Sequence, residues 1–117
     1  MPALEPIHFD FDQAQIQPSD ENELAAIGSY LVAHLRPLLT ISGHCDERGT
    51  VEYNIALGDR RAQAARAYLV RMGVSGSRIK TISYGKARPL ETGHDEQASA
   101  KNRRDEFELR AAQQAAR

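Results

Sequence analysis

Polar side chains that could hold a charged ligand lie close together in one short stretch of the chain. This stretch contains Asp46, Thr50, Asn54 and Arg61. Arg61 shares a helical stripe with Leu57, at a spacing that faces the interior of a protein. Because a buried guanidinium is costly unless it is paired, Arg61 needs a partner. Asp46 is the nearest candidate in sequence, and a ligand carboxylate is the other.

These residue types suit a zwitterion. An arginine binds a carboxylate through two parallel hydrogen bonds, and an aspartate binds an ammonium group. Backbone N–H groups at the start of a helix after Thr50 would add donors for an anion. The same residues also suit a structural role, in which Asp46 and Arg61 join a turn to a helix. A ligand site and a structural pair within a protein-interaction domain both stay open on spacing alone.

Other chemistries find little support in the sequence. His44, Cys45 and Asp46 are adjacent, and neighbours along a strand point to opposite faces, so they do not form a catalytic triad. The four histidines lack zinc-like spacing, and the chain has one cysteine. Fifteen basic residues oppose sixteen acidic ones, which argues against a nucleic-acid surface. We therefore predict no catalytic residue, no metal, no cofactor and no nucleic-acid partner.

The hydrophobic pattern alternates between strands and helices. Asp20 and Glu23 have capping-box spacing for a first helix, which Pro37 ends. Thr50 suits the N-cap of a long second helix that Gly73 ends. The apolar stripe of the first helix is Leu24, Ile27, Leu31 and Leu35. Strands are predicted at 7–11, 38–44, 78–84 and 106–110.

This order of elements predicts a single domain over residues 1–117. Its core spans about 7–110, and a helix-prone tail follows at 111–117. The order strand-helix-strand-helix-strand-strand predicts a two-layer α/β sandwich with the helices on one face of the sheet.

Several separated motifs occur along the chain in the order that is typical of a known family. A wider pattern comprises Asp46, Tyr53-Asn54, Leu57 and Arg61-Ala62. A narrower one comprises Asp-Glu-Arg-Gly-Thr at 46–50, Ser-Tyr-Gly-Lys at 83–86, Gly-His-Asp-Glu at 93–96 and Lys-Asn-Arg-Arg at 101–104. From about Phe9 to Leu109 the chain resembles the OmpA-like peptidoglycan-binding domain. Within that family it is similar to the lipoprotein branch that works with the Tol proteins.

The resemblance implies a ligand and a set of site residues. The family binds the diaminopimelate of the peptidoglycan stem peptide. By resemblance, Asp46 would hold its ammonium group and Arg61 its carboxylate, with Asn54 in support. The further site residues expected are Thr50, Leu57, Arg104 and the first-strand residues Phe9 and Asp10.

The resemblance also implies a cellular role. It implies a non-catalytic module that tethers the outer membrane to the cell wall, with TolB and other Tol proteins as partners. The expected place is the periplasmic side of the outer membrane of a Gram-negative bacterium. Membrane contact would be made only through a lipid anchor, which we expect in a longer precursor. A domain of another envelope protein or of a flagellar stator protein is the alternative.

Two positions depart from the family pattern. Cys45 stands where a small residue or threonine is expected, and its acidic neighbours predict a passive thiol. Asp105 stands where an apolar strand residue is usual, which makes the start of the last strand uncertain.

Overall fold

The computed structural model of this chain describes residues 4–112. Over these residues the chain forms three α-helices and four strands, with short 3₁₀ turns at Pro18–Asp20 and Gly76–Arg78. In chain order the elements are β1 (Ile7–His8), α1 (Glu21–Ala33), β2 (Leu38–His44), α2 (Val51–Arg71), β3 (Ile79–Gly85), α3 (Glu96–Asn102) and β4 (Arg104–Arg110).

The four strands form one mixed sheet in the order β1-β4-β2-β3. β2 and β3 are parallel and are joined by the long crossover helix α2, whereas β4 runs antiparallel to both β1 and β2. Apolar side chains of α1 and α2 pack with those of β2 in one core cluster, so the helices cover one face. The predicted two-layer α/β sandwich is confirmed.

Helix α2 begins and ends where the sequence predicts. The Thr50 hydroxyl accepts a hydrogen bond from the Tyr53 backbone N–H at 3.0 Å, as an N-cap does. Gly73 has a φ of 109°, and the Val74 N–H bonds the Leu69 carbonyl at 3.1 Å to close the helix.

Two glycines let α2 lie directly against the central strand. A Cβ on Gly43 of β2 would be 1.9 Å from the Gly58 carbonyl oxygen of α2. The absence of both side chains therefore brings the helix backbone onto the strand backbone. This contact places the first turns of α2 beside the carboxyl end of β2.

Two expectations about α1 are wrong. The helix ends at Ala33, so Leu35 lies beyond it and is 78% exposed instead of completing the apolar stripe. Asp20 precedes the helix but does not cap it through its side chain within the described chain. Its carboxylate accepts instead from the His8 backbone N–H at 2.9 Å, and so ties α1 to β1.

The ends of the sheet also differ from prediction. β1 is two residues long because the chain turns away after His8, reaching a positive φ of 57° at Asp12. β4 begins earlier than expected, and Asp105 pairs with Ile7 and Gly43 inside the sheet. Residues 111–112 lie outside any helix, and the rest of the helix-prone tail lies outside the described residues. Among residues 4–112, no helix combines the length and apolar character that a membrane span requires.

Candidate functional site

A cavity of about 240 Å³ opens at the carboxyl end of β2. The turn after β2, the first turns of α2 and the segment after β1 form its walls. The side chains and backbone that line it are Phe11, Asp12, Cys45, Asp46, Arg48, Gly49, Tyr53, Asn54, Leu57 and Arg61. Four of the residues predicted for the site thus line one cavity, namely Asp46, Asn54, Leu57 and Arg61.

Asp46 is the acidic group of this cavity and is 4% exposed. Its Oδ1 accepts from the Arg48 backbone N–H at 3.1 Å and from Arg48 Nε at 3.2 Å. Its Oδ2 accepts from Arg48 Nη2 at 2.6 Å and from Arg103 Nη1 at 3.4 Å. Burial alone would raise the pKa of Asp46, but the hydrogen bonds from Arg48 and Arg103 hold it below its ordinary value. Asp46 is therefore an anion at neutral pH.

Arg61 lies at the base of the cavity and is fully buried. It donates to three backbone carbonyls, from Nε to Gln13 at 2.8 Å, from Nη1 to His44 at 2.9 Å and from Nη2 to Asp10 at 3.1 Å. Burial lowers its pKa, although arginine stays charged at physiological pH. Since a guanidinium has five N–H donors, these three bonds leave two for a ligand.

The alternative in which Asp46 and Arg61 form a structural pair does not match the contacts of these two side chains. Within residues 4–112 no ion pair joins them, because each is satisfied elsewhere. Arg61 bonds the carbonyls of His44 at the end of β2 and of Asp10 and Gln13 in the loop after β1. Asp46 bonds two other arginines. The two charges therefore line one cavity without pairing with each other.

Asn54 and Thr50 fix the shape of the turn. Asn54 Nδ2 donates to the Arg48 carbonyl at 2.7 Å and to the Thr50 carbonyl at 2.9 Å. Leu57, one turn further along α2, supplies an apolar wall and is 4% exposed. Thr50 caps the helix beside the cavity, so its place in the binding site stays a prediction.

Two aromatic rings at the cavity mouth, those of Phe11 and Tyr53, were not among the predicted site residues. Phe11 is 52% exposed, and the Arg48 guanidinium lies 3.8 Å from its ring centroid. Tyr53 is 45% exposed, and its hydroxyl donates to Asp12. The exposure of these two rings beside a cavity marks them as candidate site residues. This feature is visible only in the folded structure, because it depends on the path of the loop after β1.

The first-strand residues lie differently from the expectation. Phe9 is 2% exposed and belongs to the core, where its ring centroid lies 5.1 Å from the Arg61 guanidinium. The Asp10 carbonyl accepts from Arg61, while its carboxylate accepts from Gln17 Nε2 at 2.8 Å. Both support the base of the cavity, and Phe11 and Asp12 line it instead.

Arg104 lies away from the cavity, on the sheet face opposite the helices, so its assignment as a pocket neighbour is wrong. It bonds Glu106, the Asn102 carbonyl and the Arg88 carbonyl. Arg103 is the arginine that reaches Asp46, because successive residues at the start of a strand point to opposite faces. Both arginines are buried, Arg103 at 6% and Arg104 at 3% exposure.

The two departures from the family pattern are both buried near Arg61. Cys45 donates its S–H to the Asn54 carbonyl at 3.2 Å, and burial raises the pKa of its thiol to about 11. Asp105 is fully buried, and its carboxyl oxygens have no hydrogen-bond partner among the described residues. Burial raises the pKa of Asp105 well above its ordinary value, with the charge of Arg61 opposing it only in part.

The fold and the cavity define a small α/β domain with a charged pocket at the end of its central strand. The chain belongs to the OmpA family, whose model matches residues 8–103. It is 44% identical over 105 residues to the peptidoglycan-associated lipoprotein of Pseudomonas aeruginosa, and 45% identical over 98 residues to that of Haemophilus influenzae. The matches cover 90% and 84% of this chain, and 62% and 64% of those two proteins.

Solved structures also match the chain. The crystal structure of the peptidoglycan-associated lipoprotein from Burkholderia pseudomallei matches with a TM-score of 0.88 and 39% identity, over 90% of this chain and 89% of that one. The C-terminal domain of Helicobacter pylori MotB matches with a TM-score of 0.84 at 19% identity, over 93% and 86%, and shows the shared fold alone.

Proposed function

We propose that this chain is a non-catalytic peptidoglycan-binding module that holds the diaminopimelate of the stem peptide between Asp46 and Arg61. The observation that carries the proposal is the cavity itself. One buried carboxylate and one buried guanidinium line it and do not pair with each other. Diaminopimelate carries an ammonium and a carboxylate on the same carbon at the end of its side chain, which matches this pair of charges.

The electrostatics of the site support this assignment. A charge buried in a protein is costly, and the chain keeps Arg61 fully buried. Backbone carbonyls hold the guanidinium in place before any ligand arrives, and two of its five N–H donors are left over for a carboxylate. The exposed rings of Phe11 and Tyr53 flank the mouth and would contact the aliphatic part of the stem peptide.

The relatives support a wider role. Proteins named peptidoglycan-associated lipoprotein, from several Gram-negative bacteria, match most of this chain. We therefore place the chain in the cell envelope, as the wall-binding part of a lipoprotein of the Tol–Pal system. In this role it would sit on the periplasmic side of the outer membrane and bind TolB and other Tol proteins. Its membrane contact would be a lipid anchor.

A pull-down with purified sacculi tests the binding function. We expect the protein to sediment with sacculi that contain diaminopimelate and to be released by free meso-diaminopimelate. The Arg61→Lys variant keeps the charge but loses the planar group, so it should sediment less. Arg60→Lys is the matched control, since Arg60 is the next residue and is exposed.

The fold of each variant has to be measured in the same experiment. Arg61 also bonds three backbone carbonyls, so its replacement will lower stability as well as binding. Asp46→Asn keeps the shape of the side chain and provides the second test, with the exposed Asp59→Asn as its control. Full sedimentation of a well-folded Asp46→Asn protein would overturn the proposal.

A further inference from the structure

We propose that Arg48 is an internal competitor for the ammonium group of the ligand. Its guanidinium covers the Asp46 carboxylate and must leave before a ligand ammonium can bind there. This inference rests on the proposed function, because it concerns the same carboxylate. It assigns to Arg48 a role that lowers affinity, the opposite of what an arginine on a ligand cavity would ordinarily do.

The contacts of Asp46 carry the inference. Arg48 gives its carboxylate three hydrogen bonds, from the backbone N–H, from Nε and from Nη2. The shortest of them is 2.6 Å, and the Asp46 side chain is 5% exposed. A carboxylate covered in this way cannot accept from an incoming ammonium group unless one of its present donors moves.

Arg48 is the donor that can move. Its side chain is 44% exposed and rests on the half-exposed Phe11 ring at the cavity mouth. The side chain of the other donor, Arg103, is 8% exposed and is held by bonds from two of its other nitrogens. Arg103 Nε donates to the Phe9 carbonyl at 2.8 Å, and its Nη2 donates to Glu96 at 2.9 Å. Arg103 therefore stays on Asp46 while Arg48 is exchanged.

A second acceptor for Arg48 lies next to the first. Arg48 Nη2 is 3.8 Å from Glu96 Oε1, whose side chain is 69% exposed. On leaving Asp46, the guanidinium would reach this carboxylate by a change of side-chain rotamer, without movement of the backbone. The displaced Arg48 guanidinium would thus remain paired with Glu96, and the ligand ammonium would take its place at Asp46.

Calorimetry with a diaminopimelate-containing muropeptide tests the inference on the intact chain. Arg48→Ala removes the competitor and should tighten binding by about three- to tenfold, the range expected for losing a half-exposed ion pair. Arg48→Lys keeps a competing cation and should stay within about twofold of the parent. Arg36→Ala is the matched control, because Arg36 is exposed at the opposite end of β2.

Two further measurements show that Arg48 acts through Asp46. Acetylation of the side-chain amino group of the muropeptide removes the charge that Asp46 is proposed to bind. Arg48→Ala should therefore leave the affinity for this acetylated muropeptide unchanged. In an Asp46→Asn background, Arg48→Ala should likewise have no effect on the native ligand.

The outcomes separate this inference from the proposed function. Weaker or unchanged binding of the native muropeptide to a folded Arg48→Ala protein would refute the proposal that Arg48 competes for Asp46. It would not refute the proposed peptidoglycan-binding function. Weaker binding would make Arg48 a direct ligand contact instead. If neither the parent nor Arg48→Ala binds the muropeptide, both proposals fail together.

Discussion

Replacing Asp105 should stabilise the protein. Its carboxyl is fully buried in β4 and has no hydrogen-bond partner among the described residues. A buried polar group without a partner costs about 1–3 kcal/mol, so Asp105→Val should raise the free energy of unfolding by about that amount. Valine has a similar volume and suits a strand, so the replacement should leave no cavity.

The effect of Asp105 should depend on pH. Burial raises its pKa above the ordinary value of 3.8, so the folded chain binds this proton more tightly than the unfolded chain. The free energy of unfolding of the parent should therefore fall as the pH rises from about 4 through the higher pKa of the folded state. Asp105→Asn cannot titrate and should remove this part of the pH dependence, so the gain from Asp105→Val should grow with pH.

Urea unfolding followed by circular dichroism between pH 4 and pH 8 measures both effects. Glu108→Gln is the control, since Glu108 is an exposed carboxyl on the same strand. If Asp105 were instead an ionised partner of Arg61, the parent would gain stability as the pH rises. Asp105→Val would then be destabilised, and our account of this residue would be refuted.

Three further predictions concern the turn and the helix that form the cavity. Thr50→Ala removes the N-cap bond to Tyr53 and should lower the free energy of unfolding by about 1 kcal/mol in urea, whereas an unchanged value would argue against the cap. Gly43→Ala forces a Cβ against the Gly58 carbonyl and should cost about 1–3 kcal/mol or more, so a parental Tm would contradict the close contact. Native Cys45, with a pKa of about 11, should react with iodoacetamide at pH 8 far more slowly than the urea-unfolded chain, and equal rates would show an accessible thiol.

The elements of the fold were largely predictable because they have strong local signals. The N-cap at Thr50 and the closing Gly73 were read correctly, since capping depends on a few neighbouring residues. The end of α1 was predicted too late. Leu35 continues the apolar spacing beyond the helix, and a proline at position 37 is compatible with a helix that ends at Ala33 or at Leu35. The early start of β4 was uncertain because Asp105, a polar residue, is buried inside the sheet.

The site was predictable where its residues lie on one element. Asn54, Leu57 and Arg61 all face the cavity from α2, so helical spacing was enough to group them. The hydrogen-bond partners of Asp46 and Arg61 could not be predicted from helical spacing. Arg103 is far from Asp46 in sequence and meets it only through the pairing of β4 with β2. The carbonyls of Asp10 and Gln13, which hold Arg61, depend on the path of a loop, and backbone acceptors leave no signature in side-chain type.

The central claim is that Arg61 and Asp46 hold the two charges at the end of diaminopimelate. Calorimetry on matched muropeptides that contain either diaminopimelate or lysine tests it most directly, because lysine lacks only the carboxylate assigned to Arg61. We expect the lysine form to bind about ten- to a hundredfold more weakly, as the loss of a charge-assisted hydrogen bond predicts. Equal affinity for the two forms would contradict the claim and leave Arg61 with its structural bonds to the backbone alone.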